Sequence, residues 1–297
     1  MRLSIFLFLI IIQVISYSQK TDNRLQGKLE ETVKGFNGVI GIYVKNLRTG
    51  KINVINADTL FPTASIVKVP ILIGIMEKIN SGEMNYDSVL VYKDSLLYEG
   101  EDILGSFKNN ERILLKKLIM LMLTTSDNTA SLWLQSLAGK GSRINEILGN
   151  LGMEYTRVNS RTPGRENDRG VYGWGQTTPR EMGTLFEKIY NNEVFSPKAC
   201  DRMMRCLGRN YWDLNEAISQ IPPGIEVFSK NGCVNASRSE VLLVNAPHNP
   251  YIFSIFTKNN KDEQWTPANE AWTLARKISK LLWKYFEPKD KWEPYVN

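Results

Sequence analysis

The stretch TASIVKVP, residues 63–70, places Ser65 three positions before Lys68 at the start of an apolar segment that runs to about Gly82. Three residues of an α-helix turn through about 300° and rise about 4.5 Å, so a helix beginning here sets both side chains on one face. A serine hydroxyl is a weak nucleophile until a base lies within hydrogen-bond reach, and an ammonium group cannot be that base. The pair is chemically useful only where something drives the proton off Lys68, as burial or a like charge can. Residues elsewhere in the chain must supply that condition.

Outward from that segment, Leu25, Leu29, Val33 and Phe36 keep a helical rhythm. Val39 to Asn56 then reads as a β-hairpin, two β-branched runs around the turn signal RTG. Downstream, the region 111–138 predicts two helices interrupted at the polar TTSDNT, and a helix from Arg180 to Tyr190 follows Thr177-Thr178-Pro179. IEVF, EVLLVNA and YIFSIFT are strand-like, the last two joined by PHNP, and an amphipathic helix from Pro267 to Phe286 follows. Strands near both ends with helices between them predict an antiparallel sheet assembled from the two chain ends and flanked by helices. The expected α/β sheet domain comprises 19–63 and 212–297, and an inserted, all-α helical domain spans 64–211.

Composition narrows the function. Arg2, an apolar run from Ile5 to Ile15 and the small residues Ser16 and Ser18 read as a secretory signal over residues 1–18. The run falls short of the roughly 20 residues that span a bilayer. The expectation is a periplasmic or secreted monomer without stable membrane insertion after cleavage. The formal charge is +6, yet no Lys/Arg block interleaves with aromatics, so nucleic acid is not an expected partner. Three cysteines, Cys200, Cys206 and Cys233, exclude a complete intramolecular framework, although one disulfide to Cys233 stays open. The single histidine, His248, argues against a conventional zinc site and disfavours a Ser-His-Asp triad. Neither a metal nor an organic cofactor is indicated.

Two further stretches fall in order after Ser65-x-x-Lys68. Ser126-Asp127-Asn128 sits at the polar break between helices, and Lys230-Asn231-Gly232 follows IEVF. The three motifs form one catalytic set in this chain order. With Phe61-Pro62, Asn128-Thr129-Ala130 and Thr177-Thr178-Pro179, they make the chain resemble the class A serine β-lactamases and the wider penicillin-recognising hydrolases over essentially its whole mature length. The resemblance implies a β-lactamase/transpeptidase-like fold and a small-molecule substrate, a β-lactam or a D-alanyl peptide. It implies Ser65 as nucleophile, Lys68 as its base and Ser126 as proton relay to the leaving nitrogen. The backbone N–H groups of Ser65 and Cys233 would hold the oxyanion. Asn128 would grip a substrate amide, while Lys230, Asn231, Gly232 and Arg238 would line the carboxylate side. Singly, each residue has a plain structural reading: Ser126 and Asp127 could cap a helix, and Arg238 could pair with Glu240 at the surface.

The pattern departs from the family in two places. The loop VNSRTPGRENDRGVYGWGQ, residues 158–176, holds one glutamate, Glu166, with Gly170 where asparagine is expected four residues on. Glu166 is the candidate base for the deacylating water, Asp168 the other acid in reach, and a solvated acid pairing with Arg165 or Arg169 the plain alternative. No aspartate precedes Thr177 to brace the loop, and Asn231 stands where threonine or serine is usual. The leading expectation is a serine hydrolase opening β-lactam rings. The alternatives are a D-alanyl peptidase or esterase on the same scaffold, or a non-hydrolytic penicillin- or cell-wall-binding protein.

Overall fold

Alternation along five strands builds the centre of the molecule. The computed structural model describes residues 20–100, 102–208 and 210–294; the expected signal segment, residues 1–18, lies outside them. In chain order the strands are β1 (Val39–Asn46), β2 (Ile52–Ile55), β3 (Phe61–Pro62), β4 (Val89–Val91), β5 (Arg112–Leu114), β6 (Arg157–Val158), β7 (Gly175–Thr177), β8 (Val227–Val234), β9 (Ser237–Val244) and β10 (Tyr251–Lys258). The helices are α1 (Asn23–Thr32), α2 (Lys68–Asn80), α3 (Leu115–Met120), α4 (Asn128–Leu137), α5 (Lys140–Asn150), α6 (Glu166–Tyr172), α7 (Pro179–Tyr190), α8 (Pro197–Leu207) and α9 (Glu270–Phe286).

The main sheet has the order β2-β1-β10-β9-β8, antiparallel throughout, so the two chain ends pair across it as the sequence predicts. Successive strand residues point to opposite faces. Ile40, Ile42 and Val44 of β1, with Leu242 and Val244 of β9, face α1 and α9 and pack on Leu25, Leu29, Ile278 and Leu282. Tyr43, Val241 and Leu243 face the other way, into a larger core shared with α2, α4, α5, α7 and α8. Helix α7 lies so close on this face that a Cβ on Gly183 would sit 2.6 Å from the Tyr43 ring.

Helix α2 is apolar all round, with Lys68 to Met76 buried without a break, which marks it as the central helix of the helical layer. The short ladder β3-β7-β6 ties the segment before Ser65 to the 158–177 loop. Three details differ from the sequence reading. The segment at Ser65 begins as a 3₁₀ turn, Ala64–Val67, and becomes α-helical at Lys68. A π-helical turn, Leu121–Thr125, precedes Ser126. Residues 112–114, expected within a helix, pair instead as β5 with β4.

Candidate active site

The 3₁₀ start brings Ser65 and Lys68 into register. With 3.0 residues per turn, side chains at i and i+3 eclipse, a closer alignment than an α-helix gives. Lys68 Nζ donates to Ser65 Oγ at 3.1 Å. The entry into the turn is strained, because Ala64 has φ +42°, a left-handed conformation costly for a residue with a side chain. Two neighbours hold it there. Thr63 N donates to Gly175 O at 2.9 Å, and β8 passes close by at Gly232. A Cβ at 232 would stand 2.4 Å from Thr63 O and 2.9 Å from the nitrogens of Ser65 and Ile66, so only glycine lets the strand approach the backbone at Ser65.

The second motif is fixed from two sides. Ser126 is left-handed, with φ +62°. Asp127 caps α4 by accepting from Ala130 N at 2.7 Å, so the capping reading holds for Asp127 while the hydroxyl of Ser126 points elsewhere. Asp102 adds a second carboxylate at the same helix start, accepting from Asn128 N at 2.8 Å, Thr129 N at 2.7 Å and Thr129 Oγ1 at 2.9 Å. The corner so held meets Lys68. Its Nζ lies within hydrogen-bond distance of Ser126 Oγ at 3.0 Å, Asn128 Oδ1 at 2.8 Å and the Ser126 carbonyl, so with Ser65 Oγ more acceptors surround it than it has hydrogens.

Lys68 is fully buried. Burial first, and the charge of Lys230 second, hold its pKa well below that of an ordinary lysine; Asp102 and Asp127 oppose the shift. Lys230 is likewise fully buried, and desolvation pushes it down to about 8. Its ammonium donates to Asn231 O at 2.9 Å and Asn231 Oδ1 at 3.0 Å. The Asn231 amide donates in turn to Glu216 Oε1 at 2.9 Å, and the Cys233 thiol lies 3.7 Å from the same oxygen. Glu216 was not anticipated from sequence.

A cavity of about 590 Å³ opens on Ser65, lined also by Asn128, Cys233, Ser237 and Lys258. Tyr98 and Trp174 meet edge-to-face at 5.2 Å on its wall. The 158–177 loop is braced without an aspartate before Thr177. Arg165 donates to Asn159 Oδ1 at 3.0 Å and to Gln176 Oε1 at 2.8 Å, so an amide takes the place of a carboxylate.

Two expected site residues fall elsewhere. Glu166 is exposed at the start of α6 and accepts from Gly164 N at 3.1 Å, facing its own loop, while Asp168 pairs with Arg165 at 3.1 Å. Neither acid lines the cavity. Arg238 is 2% exposed and sits opposite Cys233 on β9, one strand face away from Lys230. Its guanidinium lies between the rings of Trp265 and Trp272, at 4.3 and 4.7 Å, and donates to carbonyls of the Val234–Ser237 turn. Both the substrate-binding and the surface-pair readings of Arg238 are thereby corrected. Its neighbour Glu240 accepts from Ala217 N at 2.6 Å and Ile218 N at 3.2 Å. His248 binds Glu287 at 2.5 Å, and all three cysteines are free thiols.

The sequence profile of the β-lactamase enzyme family matches residues 24–286. The chain belongs to that family. The β-lactamase VEB-1 of Pseudomonas aeruginosa is 23% identical over 296 residues, which cover 96% of this chain and 97% of VEB-1. Among solved structures, PBP-A superposes with a TM-score of 0.80 at 24% identity, covering 91% of this chain and 98% of its own. A β-lactamase from Chitinophaga pinensis superposes with a TM-score of 0.79 at 18% identity, covering 89% and 99%. These superpositions establish the β-lactamase/transpeptidase-like fold.

Proposed function

We propose that the protein is an exported serine hydrolase that opens β-lactam rings through an acyl-Ser65 intermediate. The observation that carries this reading is the set of contacts at Lys68, whose Nζ meets Ser65 Oγ, Ser126 Oγ and Asn128 Oδ1. Neutral Lys68 takes the proton from Ser65 Oγ, and the oxygen attacks the lactam carbonyl. The developing oxyanion is held by the N–H groups of Ser65 and Cys233. As the C–N bond breaks, Ser126 Oγ gives its proton to the leaving nitrogen and is resupplied by the Lys68 ammonium. Asn128 Nδ2 orients the substrate amide, and Lys230 supplies positive charge for its anionic group. The work is done outside the cytoplasm after loss of residues 1–18, by a single copy of the chain with sheet and helical domains divided near residues 63 and 212.

A second reading is favoured by the placement of Glu166. With that carboxylate turned to Gly164 N, the acyl-enzyme lacks an acid beside it to activate water. The protein would then acylate readily and turn over slowly, as a penicillin-binding protein or D-alanyl peptidase does. A mutant of the structurally similar PBP-A in which glutamate replaces a leucine was captured as an acyl-enzyme complex with penicillin G, so in that protein an added acid did not prevent capture of the adduct.

Intact-mass spectrometry after brief exposure to a penicillin, beside turnover of a chromogenic cephalosporin, separates the readings. Adduct formation followed by its loss with steady turnover is the expected result. A persistent stoichiometric adduct selects the second reading. No adduct, or one that survives Ser65→Ala, overturns both.

A further inference from the structure

Beside the nucleophile lies a buried chain of groups that acylation as described does not use: Lys230, Asn231 and Glu216. Glu216 is 4% exposed, its carboxylate accepts from the Asn231 amide at 2.9 Å, and the same side chain of Asn231 accepts from Lys230 at 3.0 Å. One amide thus separates a carboxyl from the ammonium assigned to the substrate's anion. We propose that Glu216 is a specificity-determining residue whose negative charge, delivered through Asn231, weakens binding of carboxylate-bearing substrates beside Lys230. The inference rests on Ser65 acylation as proposed above, and it adds a charge gate to that site.

Two effects act with the same sign. Ionised Glu216 repels a substrate anion across the strand edge, and it holds the Lys230 ammonium on Asn231; these outweigh its smaller opposing effect of keeping Lys230 protonated. Protonated Glu216 does none of the three. Other groups face the same carboxyl: Asp213 from the preceding turn, Glu240 from β9, Arg276 from α9, and the Cys233 thiol from the same strand as Asn231, at 3.7 Å. Burial, with Asp213 adding to it, raises the pKa of Glu216 above that of an ordinary glutamate; its bond from Asn231 and the charge of Lys230 offset part of the rise. The charge gate therefore closes as pH rises toward and through neutrality.

The test compares acylation of the full chain by a penicillin and by the neutral methyl ester of the same penicillin, from pH 5.5 to 8.5. The ratio of the two second-order rates cancels the titration of Lys68, which serves both substrates. In the wild type the anion-to-ester ratio is expected to fall by about tenfold as pH rises, the scale of one nearby charge in a partly shielded site. Glu216→Gln, which keeps an acceptor for Asn231, should raise the ratio at pH 7.5 by about tenfold. In that variant only a decline from the Lys230 titration should remain, moved below its wild-type position of about 8 because the Glu216 charge that raises it is gone. A ratio unchanged by Glu216→Gln overturns the proposal, as does a ratio that rises with pH in the wild type. Should Glu216→Gln fail to fold, Asn231→Thr, which breaks the link and restores the usual hydroxyl, should flatten the same pH profile; an unflattened profile overturns it too. Absence of acylation by either substrate at every pH would instead strike the Ser65 reading.

Discussion

The Ser126–Asn128 corner and the 158–177 loop flank the same cavity, yet they are held in opposite ways. At the corner, Asp102 and Asp127 accept backbone hydrogens at the start of α4, and buried Lys68 bonds to the far side. In the loop, the brace through Arg165 and Gln176 fixes the ends, while Glu166, Asn167 and Gly170 stand exposed. The groups proposed to make the acyl bond are pre-set by packing. The acid expected to break that bond faces solvent. Preorganisation of fixed dipoles favours a transition state only where the surroundings keep them from relaxing, so the asymmetry predicts acylation that tolerates little change and deacylation that Glu166 does not control.

The largest effect is expected at the lysine on which the corner converges. Lys68→Ala removes the proposed base and should slow acylation by about 10³-fold, within the range of general-base deletions. Its titration gives a second handle. Because the folded-state pKa of Lys68 lies well below 10.5, the neutral, active form accumulates as pH climbs through that lowered value, and acylation should rise with it. Between the lowered value and 10.5 the unfolded chain binds the extra proton, so the Lys68 contribution to stability increases with pH across that window and is lost as pH falls. Stopped-flow acylation and chemical denaturation at several pH values check both slopes. Acylation that never falls as pH is lowered, down to the acid limit of the folded protein, would break the comparison at its better-ordered end.

A smaller effect separates position from chemistry. Asp102 does not bond the reacting groups, but three donors at the start of α4 converge on it. Asp102→Asn leaves one acceptor oxygen and should cost about 1–2 kcal/mol of stability, the value of a helix cap, read as a shift in the denaturation midpoint. With Asn128 and Ser126 less firmly placed, acylation should slow by about tenfold. Lost stability with unchanged acylation would show that Asp127 and Lys68 hold the corner without Asp102.

Short-range relations were readable in the sequence, and relations that depend on which way a strand faces were not. Ser65 and Lys68 meet because three residues span one turn, a geometry any helix of this type enforces. The sheet drawn from both chain ends followed from β-branched runs around RTG and PHNP. Arg238 failed for a reason that counting along the hairpin exposes. Lys230 pairs with Val241 and Cys233 with Arg238, and residues 230 and 233 lie on opposite faces of one strand. An arginine opposite Cys233 therefore points to the α9 side, where two tryptophans take it. Glu216 carried no local signal at all. Its place is set by the turn before Ala217, and its partner Asn231 was read as a substrate ligand because of the motif in which it stands. Gln176 carries no signal either, because an amide that accepts from an arginine has no charge to mark it as a brace.

The loop supplies the smallest expected effect and the sharpest test of the asymmetry. Glu166 lies in the first turn of α6, where a negative charge is favoured by the backbone dipole, and it accepts from Gly164 N. Glu166→Gln keeps an acceptor oxygen and forfeits only the charge, worth a few tenths of a kcal/mol at an exposed helix start. If Glu166 takes no part in deacylation, the lifetime of the acyl-enzyme in intact-mass spectra should change by less than about twofold. An adduct that persists more than about tenfold longer in Glu166→Gln would mean that the loop rearranges around the acylated serine and carries the carboxylate in. The asymmetry would then belong to the unliganded protein alone. With the lifetime unchanged, a water could be activated only by groups already at Ser65, and the neutral amine of Lys68, 3.1 Å from its oxygen, is the one placed to do it.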